Sequence, residues 1–337
     1  MKILHAIIKD YIATAEPVGS RTIAKKYNLG ISPATIRNEM ADLEEMGFLE
    51  QPHTSSGRIP SDKAYRIYVD QLMRVDKINK IIEQTITKEY ESYAGELDEI
   101  ISQTSKILSH FTNYTSLALT PQLYGATVKH IQLMPLQEDK ILMVIISKEG
   151  VVKNVVVNIS KAINSDTLIK ISNVLNQCIK GINILQVEQE VFNKLNELDQ
   201  EESNILQKLI PIIKESLSNK ESTKIYSNGI TNIFNFPEFK DIEKAKDFID
   251  LWEQKNILLQ LLSSSANDGV NITIGSENKV NEVRDCSLIT ATYQLNGRVL
   301  GTIGVIGPTR MEYSRVVALL NYLTGQLNDL VKKSLID

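Results

Sequence analysis

Cysteine is almost absent: Cys178 and Cys286 are the only two in 337 residues. They show no C-x-x-C spacing and no neighbouring histidine, which excludes a disulfide framework and a zinc site. Both read as reduced core residues. The four histidines, His5, His53, His110 and His130, are scattered without metal-ligand spacing. No Ser/His/Asp set and no paired carboxylates occur, so catalysis is not expected, nor is a cofactor or a metal. No apolar run approaches the length that spans a bilayer, and the N-terminus carries no apolar stretch ending in a small-residue cleavage site. A cytoplasmic protein is expected. Positive charge is also scarce: the formal net charge is −4. Any nucleic-acid surface must then be a local patch.

What charge asymmetry exists points N-terminal. Residues 1–75 hold ten Lys/Arg against nine Asp/Glu, a balance of +1 that leaves −5 for the remainder. In that stretch Ile3, Ile7, Ile8, Tyr11 and Ile12 recur at helical spacing until Glu16-Pro17-Val18-Gly19 breaks the pattern. Ser20 opens a second short helix with Ile23, Ala24 and Tyr27 inward, closed by Asn28-Leu29-Gly30. Ser32 as N-cap and Pro33 as first helical residue start a third, with Ile36, Met40 and Leu43 as its apolar stripe. Phe48–Gln51 then reads as a strand, 53–58 as a polar loop, and 61–75 as a closing helix. This order is a winged helix-turn-helix.

In such a unit the second helix of the pair lies in the major groove, and its first turns meet base edges. Here its outer side offers Ser32, Ala34, Thr35, Arg37 and Asn38. Arginine suits guanine, asparagine suits adenine, and the alanine or threonine methyl suits thymine. Glu39, Asp42, Glu44 and Glu45 make the second half of the same helix a poor neighbour for phosphate. Arg21, Lys25 and Lys26 are expected on the DNA backbone, together with the wing residues Thr54, Ser55, Ser56, Gly57 and Arg58. Arg58 is expected at the wing tip, reaching a minor groove, and Gly57 in the tip's tight turn.

Beyond the head, 78–111 reads as a long helical stretch whose first part is a linker. Strands follow at 128–133, 141–147 and 151–159, with Lys148-Glu149-Gly150 as a hairpin turn, and again at 270–274, 288–293 and 299–306. Between the two sets lies a mostly helical block, 161–255, read as an insert into a single sheet domain. The predicted class is α+β and multidomain: 1–75 head, 76–110 linker helix, 111–160 with 256–337 as the sheet domain, and 161–255 as the insert.

The N-terminal motifs resemble one family. Glu16-Pro17-Val18-Gly19-Ser20, Ser32-Pro33-Ala34-Thr35-Ile36-Arg37-Asn38-Glu39-Met40 and Gln51-Pro52-His53-Thr54-Ser55-Ser56-Gly57-Arg58-Ile59-Pro60 are similar to the heat-inducible transcription repressor family HrcA, with a looser match through Ile303-Gly304-Val305-Ile306-Gly307-Pro308. The resemblance implies that the sheet domain is GAF-like and that the insert is a dimerisation domain. It further implies a homodimer on an inverted-repeat operator upstream of chaperone operons, kept active by the chaperonin GroEL. Tyr226, Ile230, Ile233, Phe234 and Phe236, in a segment without charge between Lys224 and Glu238, read either as a dimer-forming surface or as buried strands. Two other functions stay open: a ligand-responsive winged-helix regulator sensing a small molecule in the GAF-like domain, although its polar candidates Gln132, Asp285, Cys286 and Tyr293 form no recognisable ligand set, and a protein-interaction module without DNA binding.

Overall fold

The computed structural model describes residues 1–52, 57–91, 97–121, 128–137, 139–147, 152–159, 163–179, 199–218, 223–263, 269–295 and 297–336. The head begins with α1 (Lys2–Thr14), whose Ile3, Leu4, Ile7 and Ile8 are buried and which stops at Ala15 in the left-handed region. Pro17 follows and prevents continuation. Next come α2 (Ser20–Lys26), α3 (Pro33–Glu45), β1 (Leu49–Glu50) and β2 (Ile59–Pro60). β1 and β2 pair antiparallel, and Val18 bridges to Arg58 as a third short rung. The closing helix α4 (Asp62–Ile67) continues as a π-turn, Tyr68–Leu72. The sequence break expected near Val75 falls in the exposed extended segment between that turn and α5 (Lys80–Glu91).

The single long helix expected over 78–111 is two, α5 and α6 (Leu97–Thr112). After α6 come β3 (Thr115–Leu119), β4 (Val128–Gln137), β5 (Lys140–Ser147), β6 (Val152–Asn158), α7 (Ser165–Ile179) and α8 (Gln200–Ser218). The chain continues with β7 (Ile225–Asn228), α9 (Ile242–Glu253), α10 (Lys255–Ser263), β8 (Val270–Ile274), β9 (Cys286–Leu295), β10 (Arg298–Pro308) and α11 (Tyr313–Ile336).

The predicted single sheet is in fact two. β7-β3-β10-β9-β8 form one sheet of five, and β4-β5-β6 form another of three. The five-stranded sheet completes itself with β3 and β7, not with the 128–159 strands. β3 is buried at every position and so carries no two-residue alternation to read. The chain accordingly divides into two compact units, one containing Met1–Leu119, Ile225–Tyr293 and Gly301–Asn328, the other centred on Thr120–Lys224. The inserted segment thus starts before β4 and ends before β7, whereas 225–255 belongs with the five-stranded sheet.

Within the first unit, Leu117, Leu119, Leu288 and Ile306 of the sheet pack against Phe248 and Leu251 of α9 and Leu262 of α10. α6 lies against β3 and β7, where Ser105 Oγ meets Ser116 Oγ at 2.9 Å and accepts from Asn228 Nδ2 at 3.0 Å. The head is fastened to this sheet by ions and rings. Arg66 donates from Nε to Glu277 Oε1 at 2.8 Å and from Nη2 to the Ile272 carbonyl at 2.7 Å. Asp62 accepts from the Ser276 amide and hydroxyl, both at 2.8 Å, above Gly275. The Tyr65 and Tyr313 rings lie 5.9 Å apart.

Burial raises the Glu277 carboxyl, but hydrogen bonds from Arg66 and from the Ile274 amide outweigh it and hold the group below the ordinary glutamate value. A carboxyl depressed on folding stabilises above its unfolded pKa, and that stabilisation is lost as pH falls through the folded pKa. Protection of α4 amides against hydrogen exchange is therefore expected to fall as pH drops below the ordinary glutamate range. Glu277→Gln should show weaker protection already at neutral pH, and an unchanged acid profile in that variant would assign the step to another group.

In the second unit, Ile131, Leu133, Ile141, Met143, Ile145 and Val157 turn one face of β4-β5-β6 onto Leu168, Ile171 and Leu175 of α7 and Leu206, Leu209 and Ile213 of α8. Asn176 locks α7 to the edge strand β4, accepting from the Ile131 amide and donating to its carbonyl, each at 2.7 Å. The opposite face carries three registered rows: Met134, Leu142 and Val156; Gln132, Val144 and Asn154; His130, Ile146 and Val152. Met134, Val152 and Val156 are 40%, 57% and 54% exposed. An antiparallel sheet that meets water on one face ordinarily shows polar residues there; this one shows mostly aliphatic residues.

Candidate nucleic-acid interface

α3 is built to present its first turns. The Ser32 hydroxyl accepts from the Thr35 amide at 3.1 Å, and Pro33 occupies the first helical position, where no amide is missed. Ile36, Met40 and Leu43 are buried, which turns Ala34, Thr35, Arg37 and Asn38 to the exposed side. Ser32 is exposed as well, but its hydroxyl serves the cap and lies 3.0 Å from Thr35 Oγ1. Among the described residues Arg37 has no ion-pair partner.

The expected backbone contacts divide. Arg21 and Lys25 are exposed on α2. Lys26 is instead committed to the buried Asp10 of α1, Nζ to Oδ1 at 2.5 Å, and that hydrogen bond keeps its ammonium above the ordinary lysine value. It ties α1 to α2. Thr54, Ser55 and Ser56, with His53, lie outside the described residues. Gly57 and Arg58 are placed. Gly57 is not in a positive-φ turn: a Cβ there would stand 2.5 Å from the carbonyl carbon and oxygen of Val18. Its role is close approach of two backbones. Gly57→Ala is expected to cost about 1 to 3 kcal/mol, as overpacking does, read as a lower melting midpoint; an unchanged midpoint would remove this assignment.

Arg58 is not a free wing tip. Its amide and carbonyl pair with Val18, both at 2.9 Å, and its Nε donates to Glu44 Oε2 at 2.7 Å. Glu44 is a residue that sequence reasoning set aside. Fourteen positions separate it from Arg58, so helical spacing carries no signal of the pair. Lys63 was missed too; it caps the end of α3, donating to the Met46 carbonyl at 2.9 Å with its ammonium 4.5 Å from the centre of the Phe48 ring.

The proposed dimer segment is largely taken up by this chain's own packing. Ile233 is 1% exposed and in the core, Phe236 stacks on Tyr114 at 5.3 Å under the Arg310 guanidinium, and Tyr226 and Ile230 are half-buried. Phe234 alone of the five stays open, on a cavity of about 430 Å³ shared with Phe239, Lys240, Ile242 and Ile249. The small-molecule candidates are divided between the two units. Gln132 is on β4 in the other unit, Asp285 pairs with Lys244 at 2.8 Å, and Cys286 and Tyr293 are buried in β9. Burial also pushes the Cys286 thiol up, away from thiolate. Among the described residues no cluster of His, Cys, Asp and Glu is placed to hold a metal, and no helix is long and apolar enough to cross a membrane.

Residues 1–73 match the model described as the winged helix-turn-helix transcription repressor, HrcA DNA-binding, and residues 98–317 match that of the HrcA protein C-terminal domain. The chain belongs to the HrcA family. A "heat-inducible transcription repressor HrcA" of Ruminiclostridium cellulolyticum is 44% identical over 99% of this chain and 97% of its own length. One from Thermoanaerobacter sp. is 46% identical over 98% and 95%. Among solved structures, a hypothetical protein determined at 2.2 Å covers 99% of this chain and 98% of its own with a TM-score of 0.59 at 20% identity, a likeness of fold. The HrcA winged helix thus carries the exposed first turns of α3, the exposed Arg21 and Lys25, and the Glu44-held Arg58.

Proposed function

We propose that this chain is a heat-inducible repressor, not an enzyme, which binds an inverted-repeat operator as a homodimer in the cytoplasm. The observation that carries the DNA reading is the first half of α3, capped by Ser32, with Ala34, Thr35, Arg37 and Asn38 turned outward, together with Arg21 and Lys25, exposed cations on α2. Two copies related by a two-fold axis put one such helix on each half-site, which accounts for an inverted repeat.

For the dimer we favour the face of β4-β5-β6 away from α7 and α8 over the Phe234 segment. Its central strand contributes Leu142, Val144 and Ile146, flanked by exposed Val152 and Val156. A face of that kind on a sheet already packed by helices on its other side marks a protein contact. In this reading the inserted unit is the dimerisation domain and the five-stranded unit the GAF-like one. The same exposed aliphatic surface makes the lone chain prone to misassociation, which fits the GroEL dependence that the family resemblance implies.

Recovery of bound genomic DNA at normal and raised temperature tests the proposal. Enrichment of an inverted repeat upstream of chaperone operons, lost on heating and restored by purified GroEL, is the expected result. Binding must also weaken steeply with salt, because phosphate neutralisation releases counterions. Enrichment of no sequence at either temperature would overturn it.

A further inference from the structure

An acid closes the helix proposed to read DNA. Glu44 lies in the last turn of α3, about 9 Å along the axis from Asn38 at 1.5 Å per residue. Its side chain is 32% exposed and that of Arg58 21%. Three contacts converge there. Gly57 presses on the Val18 backbone, Arg58 pairs with Val18 through both backbone groups, and the Arg58 Nε donates to Glu44. The backbone of Arg58 is thus fixed on the turn between α1 and α2, and only its side chain has freedom left.

We infer that Glu44 is a positioning residue for DNA binding: it holds the Arg58 guanidinium by Nε so that its terminal amino groups stand ready for one phosphate flanking the reading helix. This rests on the DNA-binding function proposed above. A guanidinium has five donors in a rigid fork. Glu44 engages Nε, and among the described residues the two terminal nitrogens have no partner. An arginine of this length, tethered only by its backbone, would sample many rotamers and lose that entropy on meeting a phosphate. The carboxylate removes that cost in advance. Against this stands the repulsion between Glu44 and DNA, which is screened over about 8 to 10 Å in physiological salt. The two effects have opposite signs, so one experiment separates them.

The probe is the most enriched duplex from the genomic recovery, titrated by fluorescence anisotropy at several KCl concentrations. With positioning, Glu44→Ala weakens binding roughly 5- to 10-fold and lowers the slope of log K against log salt by about 0.9, the value of one phosphate contact. Arg58→Ala should do the same, and the double variant should be no weaker than Arg58→Ala alone. Glu44→Gln keeps an acceptor for Nε and should retain most of the affinity. A melting curve of each variant accompanies the titration. Tighter binding with a steeper slope in Glu44→Ala would make Glu44 a restraint on Arg58 and overturn the inference. So would a loss of affinity at unchanged slope, which a merely structural role would give, or additive losses in the double variant. If the wild-type protein itself binds no duplex, the DNA-binding reading fails instead.

Discussion

Val144→Asp is expected to leave a monomer that binds its operator at least about 100-fold more weakly, with only a modest change in melting temperature. Val144 sits mid-way along the central strand of the three-stranded sheet, opposite Gln132 on one side and Asn154 on the other, on the face away from α7 and α8. In the lone chain Val144 is half-buried and Val152 and Val156 beside it are exposed, so a carboxylate that reaches water costs on the order of 1 kcal/mol through the strand preference of valine. In a dimer sealed by that face the same carboxylate is buried without a partner and forbids closure. Loss of the second reading helix then removes an avidity of about 10² to 10⁴. Sedimentation velocity reads the mass and anisotropy the affinity. Phe234→Asp is the companion: it is expected to leave the dimer intact, because Phe234 lies at an intramolecular cavity edge while its neighbours Ile233 and Phe236 are already packed. A dimer that survives Val144→Asp and dissolves in Phe234→Asp would return the interface to the segment that composition alone singled out.

The proposed shift of the interface from the Phe234 segment to a sheet face turns on the kind of signal the sequence carries. Local rules placed α3 well, since Ser32, Pro33 and the Ile36/Met40/Leu43 stripe act within one helix. The strands at 128, 141, 270 and 299 were legible for the same reason. Which strands share a sheet was not. β3 and β7 are short, and β3 is buried throughout, so neither carries an alternating pattern; only their pairing, Leu117 with Ser227 and Gly304 with Leu117, reveals the sheet. One available signal was passed over. Ile141 to Ile146 is apolar without a break, and such a run belongs to a strand covered on both faces. Since α7 and α8 cover one, the run is in keeping with the contact proposed for the other. At the DNA-facing surface the residue types were legible and the pairings were not: Lys26 with Asp10 and Arg58 with Glu44 join positions 16 and 14 apart, and Gly57 answers to Val18 across the fold.

Those pairings sharpen the test of base reading. Arg37 and Lys25 are both exposed cations without ion-pair partners among the described residues, yet they stand on different helices, to which the proposed function gives different jobs. Arg37 projects from the second turn of α3, where a bidentate bond to guanine distinguishes it from every other base. Arg37→Ala should therefore cost about 1 to 3 kcal/mol on the operator and far less on random duplex, flattening the preference at one position of each half-site. Lys25 projects from α2, which in the proposed docking crosses the sugar-phosphate backbone and meets nothing else. Lys25→Ala should weaken operator and random duplex alike and reduce the salt slope by about 0.9. Lys26→Ala makes a third case: with its ammonium held by the buried Asp10, its loss should lower the melting temperature of the head more than it changes the salt slope. Equal loss of specificity in the arginine and lysine variants would mean that α3 is not the helix in the groove, and the assignment of its first two turns to base reading would fall with it.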